Sequence, residues 1–189
     1  MSPRVGLDLQ TLLQHATELA DQEGLDGITL AGLAKKIGIR SPSIYNHVNG
    51  LADLRNHLAI YGMKQLADTL MRAAVGRSND EALHAIASAY VEFARSHPGL
   101  YEATLRSPDP QNEELKKAAS DILNIVVRVI NGFGLQEEEA LHAVRGFRSL
   151  LHGFSSLEQK GGFGLPLDLD VSLTYIVDTF LNGIQMKDE

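Results

Sequence analysis

Apolar residues recur every three or four positions along most of this chain, and strict alternation of apolar and polar residues occurs almost nowhere. The pattern predicts helices throughout. Leu9, Leu12, Leu13, Ala16 and Leu19 form a first stripe, with Gly24 placed as its stop. Thr29 is an N-cap for a short second helix whose apolar face is Leu30, Leu33, Ala34 and Ile37, ended by Gly38. Ser41-Pro42 supplies a cap and an N1 proline for a third, very short helix through Val48, punctuated by Asn49-Gly50. A long helix follows over about residues 51–75, with Leu54, Leu58, Tyr61, Leu66 and Leu70 as core positions and Gly76 at its end.

The later part has the same period. Ser78 with Glu81 reads as a capping box for a helix carrying Leu83, Ile86, Ala87, Tyr90, Phe93 and Ala94, which stops at His97-Pro98-Gly99. A short helix around Leu100–Arg106 precedes the breaker Ser107-Pro108-Asp109-Pro110. Leu115, Ala119, Ile122, Val126, Val129 and Ile130 mark a helix closed by Gly132 and Gly134. The acids Glu137–Glu139 suit the positive end of the next one, whose apolar positions are Leu141, Val144, Phe147, Leu151 and Phe154. Gly161–Gly164 is a loop and lacks the spacing and the Lys-Ser/Thr of a phosphate-binding loop. A last helix carries Leu173, Ile176, Val177, Phe180, Leu181 and Ile184. The expected fold is all-α, with about nine helices.

The last two helices are apolar over more than one stripe. Leu150, Leu151, Phe154 and Leu157 on one, and Val171, Tyr175, Ile176, Phe180 and Ile184 on the other, are too many for a single face. Two such helices per chain predict a homodimer closed by a four-helix contact across a two-fold axis.

Composition narrows the classes. With 189 residues, 44% of them hydrophobic, the chain buries a core without staples, and the absence of Cys excludes disulfides and Cys-based zinc sites. No apolar run approaches the roughly 20 residues of a membrane span, and no signal peptide opens the sequence, so the expected location is cytoplasmic, with no membrane partner. The net charge of −7 argues against a general nucleic-acid coat. The acidity is uneven, however. Residues 1–48 hold Arg4, Lys35, Lys36 and Arg40 against five acids, whereas the rest holds 13 bases against 19 acids. The seven His include no HExxH and no i, i+4 His pair, so no metal or cofactor is expected, and no nucleophile–base pair or paired carboxylates point to catalysis.

The informative stretch is 28–48, ITLAGLAKKIGIRSPSIYNHV. Two short helices joined by a tight turn at Gly38 match a helix-turn-helix, whose second helix enters the major groove of DNA. Ile44 and Val48 pack inward against Leu30, Leu33 and Ile37, which leaves Ser41, Ser43, Tyr45, Asn46 and His47 on an outer face with no acid. Lys35, Lys36 and Arg40 flank that face at phosphate-contact positions. On spacing alone, an ordinary helical hairpin with solvated polar residues stands beside this reading. Tyr90, Phe93, Tyr101, Phe147 and Phe154 either line an apolar cavity with polar tips or are plain core. His152 either bonds a buried carbonyl or touches a ligand, and Gly153 is expected to admit a close helix approach.

Residues 8–58, with a helix ahead of the helix-turn-helix and Ser-Pro-Ser-Ile-Tyr-Asn-His-Val followed by Leu-Ala-Asp-Leu, resemble the DNA-binding domain of the tetracycline-repressor-like (TetR) family. Arg145-Gly-Phe-Arg-Ser-Leu-Leu-His152-Gly153-Phe154, with Leu157-Glu158 and Gly161-Gly162-Phe163, resembles a regulatory domain of that family known for a Trp/Arg-His-Gly signature. The resemblance implies a DNA-binding domain over 1–50 and a ligand-binding and dimerisation domain over 51–189. It implies a homodimer that binds a palindromic double-stranded operator as a repressor and is released by a small-molecule inducer. Carried over by position, Thr29 meets a phosphate, and Pro42, Ser43, Tyr45, Asn46 and His47 meet bases and backbone. Two positions depart from the family pattern: Leu51 stands where a phosphate-contacting base is common, and Ala31 where some members have a base-reading Arg. Backbone contact then leans on Tyr45, His47, Lys36 and Arg4. An inducer is expected beside the inner half of the long helix, against Leu66, Leu70, Tyr90, Phe93 and Phe147, with Tyr101 and His152 as further candidates. The alternative is a helical small-molecule-binding protein whose DNA binding is weak or lost.

Overall fold

The stripes become helices at the expected places. The computed structural model describes residues 7–105 and 112–185. It contains α1 (Leu9–Glu23), α2 (Leu30–Ile37), α3 (Leu51–Ala74), α4 (Asn79–Ser96), α5 (Pro98–Thr104), α6 (Glu113–Ile130), α7 (Glu137–Gln159) and α8 (Leu169–Gln185). Three 3-10 segments, Leu25–Gly27, Ser41–Asn46 and Asn131–Phe133, complete it, and no strand occurs among the described residues. The fold is all-α. No single helix among the described residues is long and apolar enough to cross a membrane. Arg4, Arg106 and the Ser107–Pro110 breaker lie outside the described residues.

The helices gather into two compact units, one built from residues up to 63 and from 97 to 115, the other from 64 to 96 and from 116 onward. α5 thus clusters with α1 and α2 and not with the later helices.

In the first unit, the α1 stripe of Leu12, Leu13, Ala16, Leu19 and Ala20 is buried, together with Leu25, Ile28, Leu33, Ile44, Val48, Leu54 and Leu58. His97-Pro98-Gly99, expected as a stop, also starts a helix: Pro98 opens α5, where its missing amide is harmless. Asp21, at the end of α1, caps it. Its Oδ1 accepts the amides of Gly99 and Leu100 at 3.0 Å each, and its Oδ2 lies 3.0 Å from His97 Nδ1. The backbones meet so closely that a Cβ on Gly99 would sit 2.1 Å from the Ala20 carbonyl oxygen. Arg55 of α3 ties down the Leu25–Gly27 turn, donating to the Leu25 carbonyl at 3.2 Å and pairing with Asp26 at 3.3 Å.

In the second unit, α4 packs on both α7 and α8. Phe147 of α7 meets Phe180 of α8 with ring centroids 5.2 Å apart, and Phe154 meets Phe163 of the following loop at 5.0 Å. Arg95 of α4 binds both neighbours. Its Nε donates to Glu158 Oε1 and Oε2 at 2.9 and 3.1 Å, and its Nη1 lies 2.8 Å from Asp170 Oδ1. Chiefly through Glu158, these carboxylates raise the guanidinium pKa above its ordinary value. His84–Asp178 and Gln185–Asp80 contacts, each at 2.9 Å, fasten α4 to α8 further along. Arg95→Ala is expected to cost about 1 kcal/mol, the upper end for a partly exposed pair, and to lower Tm by about 2–4 °C. Thermal denaturation followed by circular dichroism checks this.

Several expectations need correction. Glu81 does not reach back to cap α4. Its carboxylate lies 3.6 Å from Arg77 Nε instead. The capping box forms at Gln136 and Glu139, where the acids expected at the start of α7 supply it. Leu141, expected as a core position of α7, is half exposed. On α6, Ala118 and Ile125 join Leu115, Val126 and Ile130 in the core while Ala119, Ile122 and Val129 are only half buried. A helix apolar on two adjacent rows turns inward the one its neighbours can cover. A Cβ on Gly153 would meet nothing within 4 Å, so no close helix approach requires that glycine. Of the proposed dimer residues, Leu151, Phe154 and Ile184 are used inside the chain, whereas Leu157, Val171 and Tyr175 are 50%, 66% and 73% exposed.

Candidate nucleic-acid interface

The turn that aims the candidate reading segment is built from local chemistry. Thr29 Oγ1 accepts the Gly32 amide at 3.0 Å and starts α2. Gly38 ends it in the left-handed region at φ 76°, where its own amide and that of Ile39 close onto the last carbonyls of the helix. The very short helix expected through Val48 is a 3-10 turn over Ser41–Asn46, with Pro42 in its first turn and the Ser43 amide donating to the Arg40 carbonyl at 2.9 Å. The amides of His47 and Val48 close on the Ile44 carbonyl.

This turn divides its side chains sharply. Ile44 and Val48 are 0% and 1% exposed, so the segment cannot rotate about its axis without losing its anchor. Ser41, Pro42, Tyr45 and Asn46 are exposed, and Ser43 and His47 are half exposed. Arg40 and Lys35 are exposed as well. Thr29 lies exposed at the start of α2, with its hydroxyl oxygen accepting the Gly32 amide.

Lys36 differs from the expectation. Its ammonium is 3.0 Å from Glu18 of α1, with 23% of the side chain exposed. That hydrogen bond holds the Glu18 carboxyl below the usual carboxylate range, so Lys36 must give up an anionic partner before it can neutralise a phosphate. The outer face also has an acid nearby that the local sequence did not reveal. Asp8, the N-cap of α1, accepts the Thr11 amide at 2.7 Å, and chiefly this bond, with a smaller contribution from His47, holds its carboxyl below the usual carboxylate range. At the base of α3, Asp53 accepts the Asn49 amide at 2.7 Å while Leu51 is half buried, so no cation fills that position.

The candidate ligand residues separate. Leu66, Leu70, Tyr90, Phe93 and Phe147 are 1–6% exposed in the second unit, with His152 half buried. Tyr101 is buried in the first unit, on α5. Sequence reasoning missed an open groove between α3 and α6, because half of its lining is charged and a search for apolar stripes passes over it.

Two short helical segments about a left-handed glycine, the second anchored by two apolar residues and polar outside, define a helix-turn-helix protein. Comparison with known proteins places it more closely. Residues 83–180 match the family described as "Tetracyclin repressor-like, C-terminal domain". The chain is 40% identical to the uncharacterized HTH-type transcriptional regulator YobS of Bacillus subtilis (strain 168), covering 100% of this chain and 98% of that one. It is 34% identical to the uncharacterized HTH-type transcriptional regulator Rv0681 of Mycobacterium tuberculosis (strain ATCC 25618 / H37Rv), covering 96% and 83%. Its fold is shared by a protein of unknown function from Rhodococcus sp. RHA1, with a TM-score of 0.82 at 24% identity over 97% of this chain and 98% of that one. The chain belongs to the tetracycline-repressor-like family of helix-turn-helix transcriptional regulators, a family of regulators and not of catalysts.

Proposed function

We propose that this protein is a ligand-responsive repressor that binds a palindromic operator as a homodimer and leaves it when a small molecule occupies the C-terminal domain. The observation that carries the reading is the polar surface of Ser41, Pro42, Ser43, Tyr45, Asn46 and His47 on a turn anchored by Ile44 and Val48. A 3-10 turn held from behind is a rigid reader, and hydroxyl, amide and imidazole groups match base edges and phosphates. The dimer reading rests on Leu157, Val171 and Tyr175, joined by Leu165 and Leu167 of the preceding loop at 73% and 66% exposure. Such a patch near two long helices suits a two-fold contact. Sedimentation at micromolar concentration should report two chains per particle, and a monomer would reject that part. We also assign the C-terminal domain to the Trp/Arg-His-Gly type, on Arg145, His152, Gly153 and Phe154 of α7.

Mobility shift with the intergenic DNA beside the protein's own gene tests the whole reading. Few cations flank the surface and Lys36 is engaged, so roughly 4–8 phosphate contacts per dimer are expected, with a log–log salt slope of about −4 to −7. A slope steeper than about −10 would require contacts that these residues do not supply. The Lys36–Glu18 pair and Leu51 favour a second reading, a helical small-molecule-binding protein with weak DNA affinity. Failure to retard any flanking DNA at low salt would select it.

The effector is proposed to act through α3. This helix is continuous over Leu51–Ala74, about 36 Å at 1.5 Å per residue, and contributes to both units. Leu66, Leu70, Tyr90, Phe93 and Phe147 supply the apolar layer that an effector must disturb, with Tyr101 and His152 as outlying candidates. By linkage, an effector that weakens operator binding must itself bind less tightly to the DNA-bound protein, by the same factor.

A further inference from the structure

Between α3 and α6, within the second unit, runs a groove of about 230 Å³. Each helix contributes positions i, i+3, i+4 and i+7, so two full turns of each face it. Four of these side chains are charged, Lys64 and Arg128 positive, Asp68 and Asp121 negative. Ala67 and Ile125, 8% and 7% exposed, form an apolar base, and Met71 is half exposed at one side. Asp68, Asp121 and Arg128 are exposed and, among the described residues, engage no other side chain.

We propose that this groove binds a compact zwitterion, a primary amine and a carboxylate on a short apolar body, as the effector of the protein. The proposal deepens the ligand-responsive reading and rests on it. The volume lies below the roughly 300–1,000 Å³ of ordinary small-molecule sites, which restricts the ligand to small metabolites. The charge pattern restricts it further. Any ligand that covers the groove displaces water from Asp68, Asp121 and Arg128, and a charge left without water or partner is costly. A fatty acid satisfies Arg128 and strands two carboxylates. An alkylamine does the reverse, and a neutral molecule strands all three. A zwitterion answers both signs. The planar fork of Arg128 takes the carboxylate through paired hydrogen bonds, while Asp68 and Asp121 take the ammonium. Ala67 and Ile125 receive the apolar body, and the flexible thioether of Met71 adjusts to its shape. Ala67 and Met71 share two turns of α3 with the buried Leu66 and Leu70, so a ligand here bears on the helix that enters the DNA-binding unit.

The test uses the full chain with L-leucine, L-methionine and γ-aminobutyrate as zwitterionic probes, and isoamylamine and isocaproate as the single-charge halves of leucine. Calorimetry and thermal shift should show at least one zwitterion bound at one per chain. Isoamylamine and isocaproate should bind about tenfold or more weakly. Arg128→Gln and Asp121→Asn should each weaken the bound zwitterion by about tenfold or more. Their unliganded melting should stay that of the parent, because both residues are exposed. The proposal is overturned if no zwitterion binds, if a single-charge half binds as tightly, or if both variants bind like the parent. Mobility shift keeps the two readings apart. A chain that binds a zwitterion but no DNA overturns the repressor reading and leaves the groove. A chain that binds DNA but ignores every zwitterion overturns the groove alone.

Discussion

Tyr45→Ala is expected to abolish operator retention at physiological salt while leaving the fold intact. The side chain is 59% exposed on a turn anchored by other residues, so its removal should change stability by less than about 0.5 kcal/mol. Removing a hydrogen bond to a base or phosphate at such a position costs about 1–3 kcal/mol. The cost is incurred at each half-site, so a dimer forfeits about 2–6 kcal/mol, roughly a thirtyfold to twenty-thousandfold change in Kd. His47→Ala should act in the same direction with a smaller effect, since that ring is half exposed and has Asp8 nearby. Ile44→Ala is the necessary contrast. That side chain is fully buried, and truncating it should cost about 2–5 kcal/mol of stability. Mobility shift and thermal melting on the three variants separate reading from folding. If Tyr45→Ala and His47→Ala both bind like the parent, the outer face of the turn is not the reading surface.

Gly99→Ala should be among the most damaging single-methyl additions in the first unit. The new Cβ would lie 2.1 Å from the Ala20 oxygen, 2.2 Å from its carbonyl carbon and 2.7 Å from the Asp21 amide nitrogen. All three are backbone atoms at the end of a helix and cannot swing aside. α5 must therefore lift from α1, and the two amides held by Asp21 lose their acceptor. A loss of about 3 kcal/mol, the upper end for overpacking, is expected, or roughly 6–12 °C in Tm. Gly153→Ala should behave oppositely. Its Cβ enters open space in the middle of α7, and helix propensity favours the change by up to about 1 kcal/mol. Chemical denaturation of both variants tests the pair. An unchanged midpoint for Gly99→Ala would mean that α5 does not dock on α1 as described.

The two glycines show how far the sequence could be read. Both lie in helices and both looked like ordinary punctuation or packing residues, yet one touches a backbone far along the chain and the other touches nothing. The same holds for Asp21 and His97. In sequence each is a polar residue near a helix end; in the fold they meet across 76 positions to cap α5. Lys36 looked like a phosphate ligand because its neighbours are basic, but whether it faces solvent or Glu18 depends on how α1 crosses α2. The α3–α6 groove was invisible for a related reason. Its charged residues lie on rows that look merely solvated until two helices bring those rows face to face.

The sequence by itself determined the all-α class, the helix ends at Thr29, Gly38 and Gly134, and the division of Ser41–Val48 into an inner and an outer face. These follow from the helical period, capping and backbone preference, which act over a few residues and are therefore written locally. Tertiary structure alone decided that α5 docks on α1, that Arg95 joins α4 to α7 and α8, which apolar row of α6 turns inward, and that α3 and α6 leave a charged groove between them. Each of those depends on which surfaces meet, and that is chosen by burial summed over the whole chain and not by any segment of it.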